Sequence, residues 1–256
     1  MGLTFKMLKS KILDKKRKQK LFLIPYFFTF ASAAFGFFSV IQTLEGNFVV
    51  AAYCIMLAGI MDAFDGRLAR ALGSSSYLGM ELDSLCDAVS FCFAPAILLY
   101  SWQLYNLGLF GVVILTFYLC CGLLRLAKFN ITSASKLKEI GFFVGLPTTL
   151  AAFLAAQVVI NNQWISQNLF PFLQNPIGIA LFVLVLAFLM VSPIRFLSFK
   201  KINPQLAILG GFLLSILLVV SIWQSIPLFF LGLFSYLLSC VLYFAHSLIA
   251  NKFEYF

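Results

Sequence analysis

Residues 48–70 read FVVAAYCIMLAGIMDAFDGRLAR, an apolar run that ends in two closely spaced aspartates. The apolar part, Phe48–Phe64, has the length and composition of a helix that crosses the hydrocarbon of a membrane. Asp62 and Asp65 lie three residues apart, so both side chains belong to one face of such a helix. The stretch therefore predicts a membrane-spanning helix with carboxylates at one end.

The whole chain shares this apolar character. Of its 256 residues, 62% are hydrophobic and 11% are charged, and the mean hydropathy is +1.00. Soluble domains carry roughly 25% charged residues, so this chain cannot cover a globular surface with charge. A soluble enzyme, a disordered protein and a nucleic-acid binder are excluded, despite a net charge of +9. The six cysteines lie in or beside apolar runs, which predicts small buried side chains.

Apolar runs predict an all-α fold, a polytopic integral membrane bundle of eight transmembrane helices. The runs are continuous, whereas strands of a membrane barrel would alternate in polarity. The third run is short unless its polar start, from about Leu82, is also helical. The eight predicted spans are Leu21–Thr43, Phe48–Phe64, Ala88–Ser101, Leu107–Leu126, Phe142–Ile160, Ile177–Val191, Leu206–Ile222 and Ile226–Ala250.

The basic residues predict the orientation of this bundle. With eight spans, all 18 lysines and arginines fall on one side, and the opposite connections contain the three tryptophans instead. Basic loops face the cytoplasm and indoles favour the membrane interface. Both termini are therefore expected in the cytoplasm, in a protein of the bacterial inner membrane.

The first 20 residues form a separate segment before the transmembrane domain, residues 21–256. Eight lysines and arginines are mixed there with apolar side chains. This pattern favours an amphipathic interfacial helix on an anionic leaflet. A basic topology anchor without further function is the alternative, and the two are compatible.

A second carboxylate pair follows the first. Asp83 and Asp87 are four residues apart, at the start of the third span. If the second and third spans are antiparallel, four carboxylates converge near the membrane surface. Such clusters suit Mg²⁺ or Mn²⁺, and two such ions can assist a phosphoryl displacement. Ordinary solvation of helix ends explains one of these aspartates but explains four paired ones poorly.

Residues 62–87 follow the pattern D-x2-D-G-x2-A-R-x8-G-x3-D-x3-D, which resembles the signature of the CDP-alcohol phosphotransferases. The resemblance implies an enzyme in which an alcohol displaces CMP from a CDP-linked substrate. It also implies two divalent cations held by Asp62, Asp65, Asp83 and Asp87, with Asp87 as the catalytic general base. By the same resemblance, six residues would contact the CDP-diacylglycerol: Thr29, Gly66, Ala69, Arg70, Ser76 and Gly79.

Four further stretches are similar to the bacterial, membrane-embedded branch of this family that uses L-serine. They are residues 81–96 (ELDSLCDAVSFCFAPA), 125–130 (RLAKFN), 143–147 (FVGLP) and 190–195 (MVSPIR). This resemblance implies phosphatidyl transfer from CDP-diacylglycerol to L-serine in phospholipid biosynthesis, by a homodimer. Arg125 and Asn130 would then bind the serine. For Arg125, a topology-determining charge is an equally open interpretation.

Three alternatives remain at this point. A sister enzyme could use inositol or its phosphate, glycerol 3-phosphate or choline as the acceptor. A membrane prenyltransferase also binds diphosphate through aspartates, but its two motifs lie on the order of a hundred residues apart. A cation transporter could use intramembrane carboxylates, although it would not need Gly66, Arg70 and Gly79 at fixed spacing.

Overall fold

The computed structural model describes residues 25–72, 76–134, 142–197 and 230–239. Its helices are α1 (Pro25–Leu44), α2 (Phe48–Ala71), α3 (Tyr77–Trp102), α4 (Leu109–Ala134), α5 (Thr148–Ile160), α6 (Asn162–Asn168), α7 (Pro176–Val191) and α8 (Phe230–Ser239). Short 3₁₀ turns cover Leu104–Leu107 and Pro171–Gln174. The predicted N-terminal helix and the seventh predicted span lie outside the described residues.

Four helices of the described part are long and apolar enough to cross a membrane. These segments are Pro25–Leu44, Phe48–Leu68, Tyr77–Trp102 and Leu109–Thr132. They correspond to the first four predicted spans. The later apolar helices are shorter, with 13 residues in α5 and 16 in α7. The part of the chain described here thus agrees with a helical membrane protein.

The fifth predicted span differs from the structure at its start. Residues Phe142–Val144 form strand β1, which pairs antiparallel with β2, Arg195–Leu197. Helix α5 begins only at Thr148, because Gly145 has a φ of +81° and Pro147 an extended backbone with ψ of 136°. This two-stranded ribbon is the one departure from helix and turn that we observe among the described residues.

Helix α3 confirms that the third apolar run is extended by its polar start. The helix begins at Tyr77, where the Ser76 Oγ accepts a hydrogen bond from the Gly79 N–H at 3.0 Å and caps the first turn. A π-helical turn, Ala88–Phe93, follows Asp87 directly. Such turns often mark functional sites within α-helices.

Small side chains allow the helices to approach closely. Ala52 and Ala58 of α2 and Ala151 and Ala155 of α5 are fully buried, and these two helices pack against each other. Helix α4 packs on α7 in the same core. Close backbone approach through small residues is the usual way in which helices associate in lipid. The five cysteines in the described residues are free, and four of them are buried as predicted, whereas Cys120 is exposed.

Buried hydroxyls tie α1 to its neighbours. Ser39 Oγ donates to the Ala51 carbonyl at 2.8 Å, and Ser90 Oγ of α3 donates to the Ser32 carbonyl at 3.0 Å. At the second crossing, a Cβ on Gly36 would lie 2.7 Å from the Ser90 Cα, so only glycine fits without a shift. These contacts fix α1 beside the helices that carry the aspartates.

Candidate active site

Three of the four predicted aspartates meet at one point. Carboxylate oxygens of Asp62, Asp83 and Asp87 lie within 4.8 Å of one another, and all three residues are half-buried. Asp62 comes from the last turns of α2, and the other two come from the first turns of α3. We call these three residues the acidic trio. Helical spacing of three and four residues therefore brings together side chains from two helices that run past each other.

Asp65 lies one turn beyond Asp62 on α2 and is outside the trio. Its side chain is only 5% exposed, and it interacts electrostatically with Asp62. The structure thus places the fourth predicted aspartate next to the other three, in a more buried position.

The donor set of the trio fits a hard divalent cation. Three carboxylates this close repel one another unless a cation or a proton lies between them. The donors are all oxygen, and Mg²⁺ and Mn²⁺ prefer such ligands to nitrogen or sulfur. The partial exposure of the trio also leaves room for a phosphate oxygen to approach.

Arg125 of α4 lies near the acidic trio. Its guanidinium lies close enough to Asp62 and Asp87 to interact with both electrostatically. It also donates from Nη1 to the Thr148 Oγ1 at 3.3 Å and lies 5.3 Å from the centre of the Phe129 ring. A charge that only set the topology would not need these contacts, so the structure favours a role in the site.

Two of the residues predicted to contact CDP-diacylglycerol, Ser76 and Gly79, belong to a polar cluster at the start of α3. Ser76 Oγ lies 2.9 Å from the Tyr26 hydroxyl, within hydrogen-bond distance, and also caps Gly79. A Cβ on Gly79 would lie 3.2 Å from that same Oγ. Tyr26 was not among the predicted site residues, although it lies one helical turn before Thr29 on α1 and that spacing could have indicated it.

The other residues predicted to contact CDP-diacylglycerol lie on α1 and at the end of α2. Thr29 is 5% exposed and donates to the Pro25 carbonyl at 3.1 Å, so its hydroxyl is engaged within α1. Gly66 is half-buried directly after Asp65. Ala69 and Arg70 belong to the last turn of α2, and the predictions for their side chains lie outside the described part.

Asn130 joins α4 to α3 beside the trio. Its Oδ1 accepts from the Ser84 Oγ at 2.8 Å, and its Nδ2 donates to the Glu81 Oε2 at 3.4 Å. Ser84 was not among the predicted site residues, although its position directly after Asp83 could have indicated that it lies near the site. The structure therefore places Asn130 at the rim of the site, in contact with the helix that carries two of the three carboxylates.

Comparison with known proteins extends these observations over most of the chain. The sequence model of the CDP-alcohol phosphatidyltransferase family matches residues 22–246. A CDP-diacylglycerol–serine O-phosphatidyltransferase of Helicobacter pylori strain J99 is 35% identical over 203 residues, which cover 78% of this chain and 83% of the relative.

Two further relatives carry the same name. The protein of Bacillus subtilis is 37% identical over 178 residues, 70% of this chain and 92% of the relative. That of Saccharomyces cerevisiae is 39% identical over 148 residues, 52% of this chain and 53% of the relative. Because the family match spans the acidic trio and all the described helices, the chain belongs to the CDP-alcohol phosphatidyltransferase family.

Proposed function

We propose that this chain transfers the phosphatidyl group from CDP-diacylglycerol to L-serine and so forms phosphatidylserine and CMP. This is the reaction in the names of its relatives, which are phosphatidylserine synthases. The single observation that carries the proposal is the acidic trio with Arg125 beside it. The trio suits phosphoryl transfer, and the guanidinium suits an acceptor that carries a carboxylate.

Asp62, Asp65, Asp83 and Asp87 are the residues proposed to hold two divalent cations, Mg²⁺ or Mn²⁺. When bound, such ions stabilise negative charge on the diphosphate oxygens, a contribution of several kcal/mol. The burial of Asp65 and the short distances within the trio support this assignment.

Asp87 is the proposed general base. Its carboxylate accepts the proton of the serine hydroxyl while the serine oxygen forms a bond to the lipid-side phosphorus. The bond from that phosphorus to the bridging oxygen of the diphosphate breaks, and CMP leaves with that oxygen. General-base assistance of this kind is worth about 10²–10⁴-fold in rate. Holding both reactants in line beside Asp87 supplies a further part of the acceleration.

The remaining site residues are proposed to bind the two substrates. Thr29, Gly66, Ala69, Arg70, Ser76 and Gly79 would contact the cytidine diphosphate of the donor, whose acyl chains stay in lipid. Arg125 would pair with the serine carboxylate, since a guanidinium can bind a carboxylate through two hydrogen bonds. Asn130 would complete the acceptor side from the rim of the site.

The membrane arrangement belongs to the same proposal. We propose eight spans, an interfacial N-terminal helix over residues 1–20, and a homodimer in the bacterial inner membrane. The site would then face the cytoplasm, where serine and CMP are dissolved, with both termini on that side. The uneven distribution of the 18 basic residues supports this orientation.

An acceptor panel tests the proposal directly. Purified protein is incubated with CDP-diacylglycerol, Mn²⁺ or Mg²⁺, and one of L-serine, inositol, glycerol 3-phosphate or choline. CMP release and the lipid product are then measured. We expect CMP release and a lipid product, phosphatidylserine, only when L-serine is the acceptor. For Asp87→Asn we expect the rate of this reaction to fall by at least about 100-fold.

Glu45→Gln is the matched control, because it also changes a carboxylate to an amide but does so far from the trio. Glu45 lies in the turn between α1 and α2, at the end of α2 opposite to Asp62. We expect it to keep wild-type activity. Turnover with another alcohol would keep the reaction type and overturn L-serine as the acceptor. Folded protein that releases no CMP with any acceptor would overturn the proposal as a whole.

A further inference from the structure

Two motifs have no part in the catalytic proposal, although both are similar to the serine-using branch of the family. They are residues 143–147 and 190–195. In the structure they lie side by side, because β1 and β2 pair with Phe143 opposite Phe196 and Val144 opposite Arg195. Stretches about fifty residues apart in sequence therefore form one unit.

Backbone contacts beyond the strands make this unit rigid. The Gly145 N–H donates to the Ile194 carbonyl and the Leu146 N–H donates to the Leu189 carbonyl, each at 2.9 Å. Gly145 has a φ of +81°, and a Cβ there would collide with the Met190 carbonyl oxygen. We call these paired segments, residues 142–146 and 189–197, the β clamp. It fixes the start of α5 against the end of α7.

The residue that the β clamp holds in place is Thr148. It is the first residue of α5, and its side chain is fully buried. Its Oγ1 accepts the hydrogen bond from Arg125 Nη1 at 3.3 Å. Phe129, which lies under the same guanidinium, belongs to α4 and moves with Arg125. Thr148 therefore provides a contact that fixes the guanidinium from outside its own helix.

We infer that Thr148 is a positioning residue for acceptor recognition: its hydroxyl, placed by the β clamp, orients the Arg125 guanidinium beside Asp62 and Asp87 to receive the acceptor carboxylate. The inference rests on the proposed function, in which Arg125 binds L-serine. It gives the two motifs a role, since the clamp fixes a hydroxyl to which Arg125 can bond. Specificity for an amino-acid acceptor then depends on a residue that does not touch it.

The geometry predicts which kinetic constant changes. Without the Thr148 hydroxyl, one guanidinium N–H loses a buried partner and the side chain is free to rotate away from the acceptor. The acidic trio comes from α2 and α3 and stays in place. The affinity for L-serine should therefore fall while the chemical step and the affinity for the donor remain.

The experiment compares Thr148→Val, which keeps the shape and removes the hydroxyl, with Thr148→Ser, which keeps the hydroxyl. For Thr148→Val we expect the KM for L-serine to rise roughly five- to tenfold, the change expected for losing one hydrogen bond of ordinary strength, since this bond is long at 3.3 Å. We expect kcat and the KM for CDP-diacylglycerol to stay within about twofold of wild type. Thr148→Ser should restore the wild-type KM for L-serine.

Thr149→Val is the matched control, since it makes the same change at the next residue, which is half-buried. It should leave all constants unchanged. If Thr148→Val shows no cooperative melting transition, Thr148→Ala is used in its place. It also removes the hydroxyl, its side chain is smaller, and the same prediction applies to it.

Three results would overturn the inference. The first is an unchanged KM for L-serine in Thr148→Val. The second is a fall in kcat together with a rise in the KM for CDP-diacylglycerol, which indicates a structural role. The third is a Thr148→Ser variant that behaves like the valine. In each, wild-type protein still makes phosphatidylserine, so the proposed function stands. Failure of wild-type protein to use L-serine would instead overturn the proposed function.

Discussion

Helix α2 has two regions with opposite chemistry. Toward the turn between α1 and α2, α2 is lined by fully buried Ala51, Ala52 and Ile55. A buried hydroxyl there, Ser39, is satisfied by a backbone carbonyl 2.8 Å away. At the other end of α2, Asp62 meets Asp83 and Asp87 of α3, with carboxylate oxygens within 4.8 Å of one another.

The difference shows what each region is for. We call the first, with Ser39, Ala51, Ala52 and Ile55, the packed region, and the trio the acidic region. The packed region follows the rules for helices in lipid, because small residues lie at the helix contacts and the Ser39 hydroxyl is bonded to a carbonyl. The acidic region breaks those rules, since like charges lie together in a chain with few charges. Local violations of this kind concentrate at functional sites. Removing a side chain should therefore change activity in one region and stability in the other.

The largest effect is expected from Asp83→Asn in the acidic region. The change removes one charge from the trio, so divalent-cation binding should weaken and activity should fall about 100-fold or more. Wild-type protein should lose activity in chelator and regain it with Mn²⁺. The melting midpoint should rise with added Mn²⁺ in wild type, because a ligand that binds the folded state stabilises it.

The same titration with Asp83→Asn should show a much smaller rise in the midpoint. Glu45→Gln serves as the control, since its carboxylate lies in the turn at the far end of α2. An Asp83→Asn protein with wild-type activity and a wild-type response to Mn²⁺ would mean that the acidic region is not a cation site.

The sequence predicted the acidic region better than its surroundings. The spacings of Asp62 to Asp65 and of Asp83 to Asp87 predict shared helix faces, and the structure brings three of these four carboxylates together. The placement of Arg125 beside them needed the structure. Its bond to Thr148 joins residues 23 positions apart, and that pairing depends on where α5 begins.

The start of α5 explains why the fifth predicted span was too long. Residues 142–147 are apolar enough to extend a helix, and hydropathy alone cannot separate a strand from a helix there. The conformation is decided by Gly145 and by pairing with residues 195–197, a long-range contact. For the same reason the contact of Tyr26 with Ser76, fifty residues apart, was not predicted.

Where α1 crosses α3, Gly36→Ala should reduce stability while Arg125 and Thr148, on other helices, stay in place. An added Cβ would lie 2.5 Å from the Ser90 Oγ and 2.7 Å from its Cα. Overpacking of this kind costs about 1–3 kcal/mol. We expect a lower melting midpoint in detergent, with the KM for L-serine unchanged in the folded fraction.

Gly232→Ala is the control for that change, because nothing among the described residues lies within 4 Å of a Cβ there. It should melt at or slightly above the wild-type temperature, because alanine favours a helix more than glycine does. If Gly36→Ala instead kept its stability but lost activity, the division between a packed region and an acidic region would be wrong for α1.

Ser76 has a structural role as the cap of α3 and a proposed role in binding CDP-diacylglycerol. Its substitution is expected to give the smallest change in stability and activity. Its hydroxyl caps α3 and contacts Tyr26, so Ser76→Ala should lower the free energy of unfolding by about 1 kcal/mol. Tyr26→Phe removes only the contact with Tyr26 and should cost less. Both variants are to be compared by melting midpoint and by the KM for CDP-diacylglycerol.

The comparison separates a cap from a substrate contact. If the Ser76 hydroxyl also binds the donor, its loss should raise the KM for CDP-diacylglycerol in Ser76→Ala, and Tyr26→Phe should leave that constant unchanged. A threonine at position 76 keeps a capping hydroxyl and should restore both stability and KM. If Ser76→Ala changes stability alone, the hydroxyl belongs to the architecture of α3. The donor would then be bound by the backbone and the trio that this cap positions.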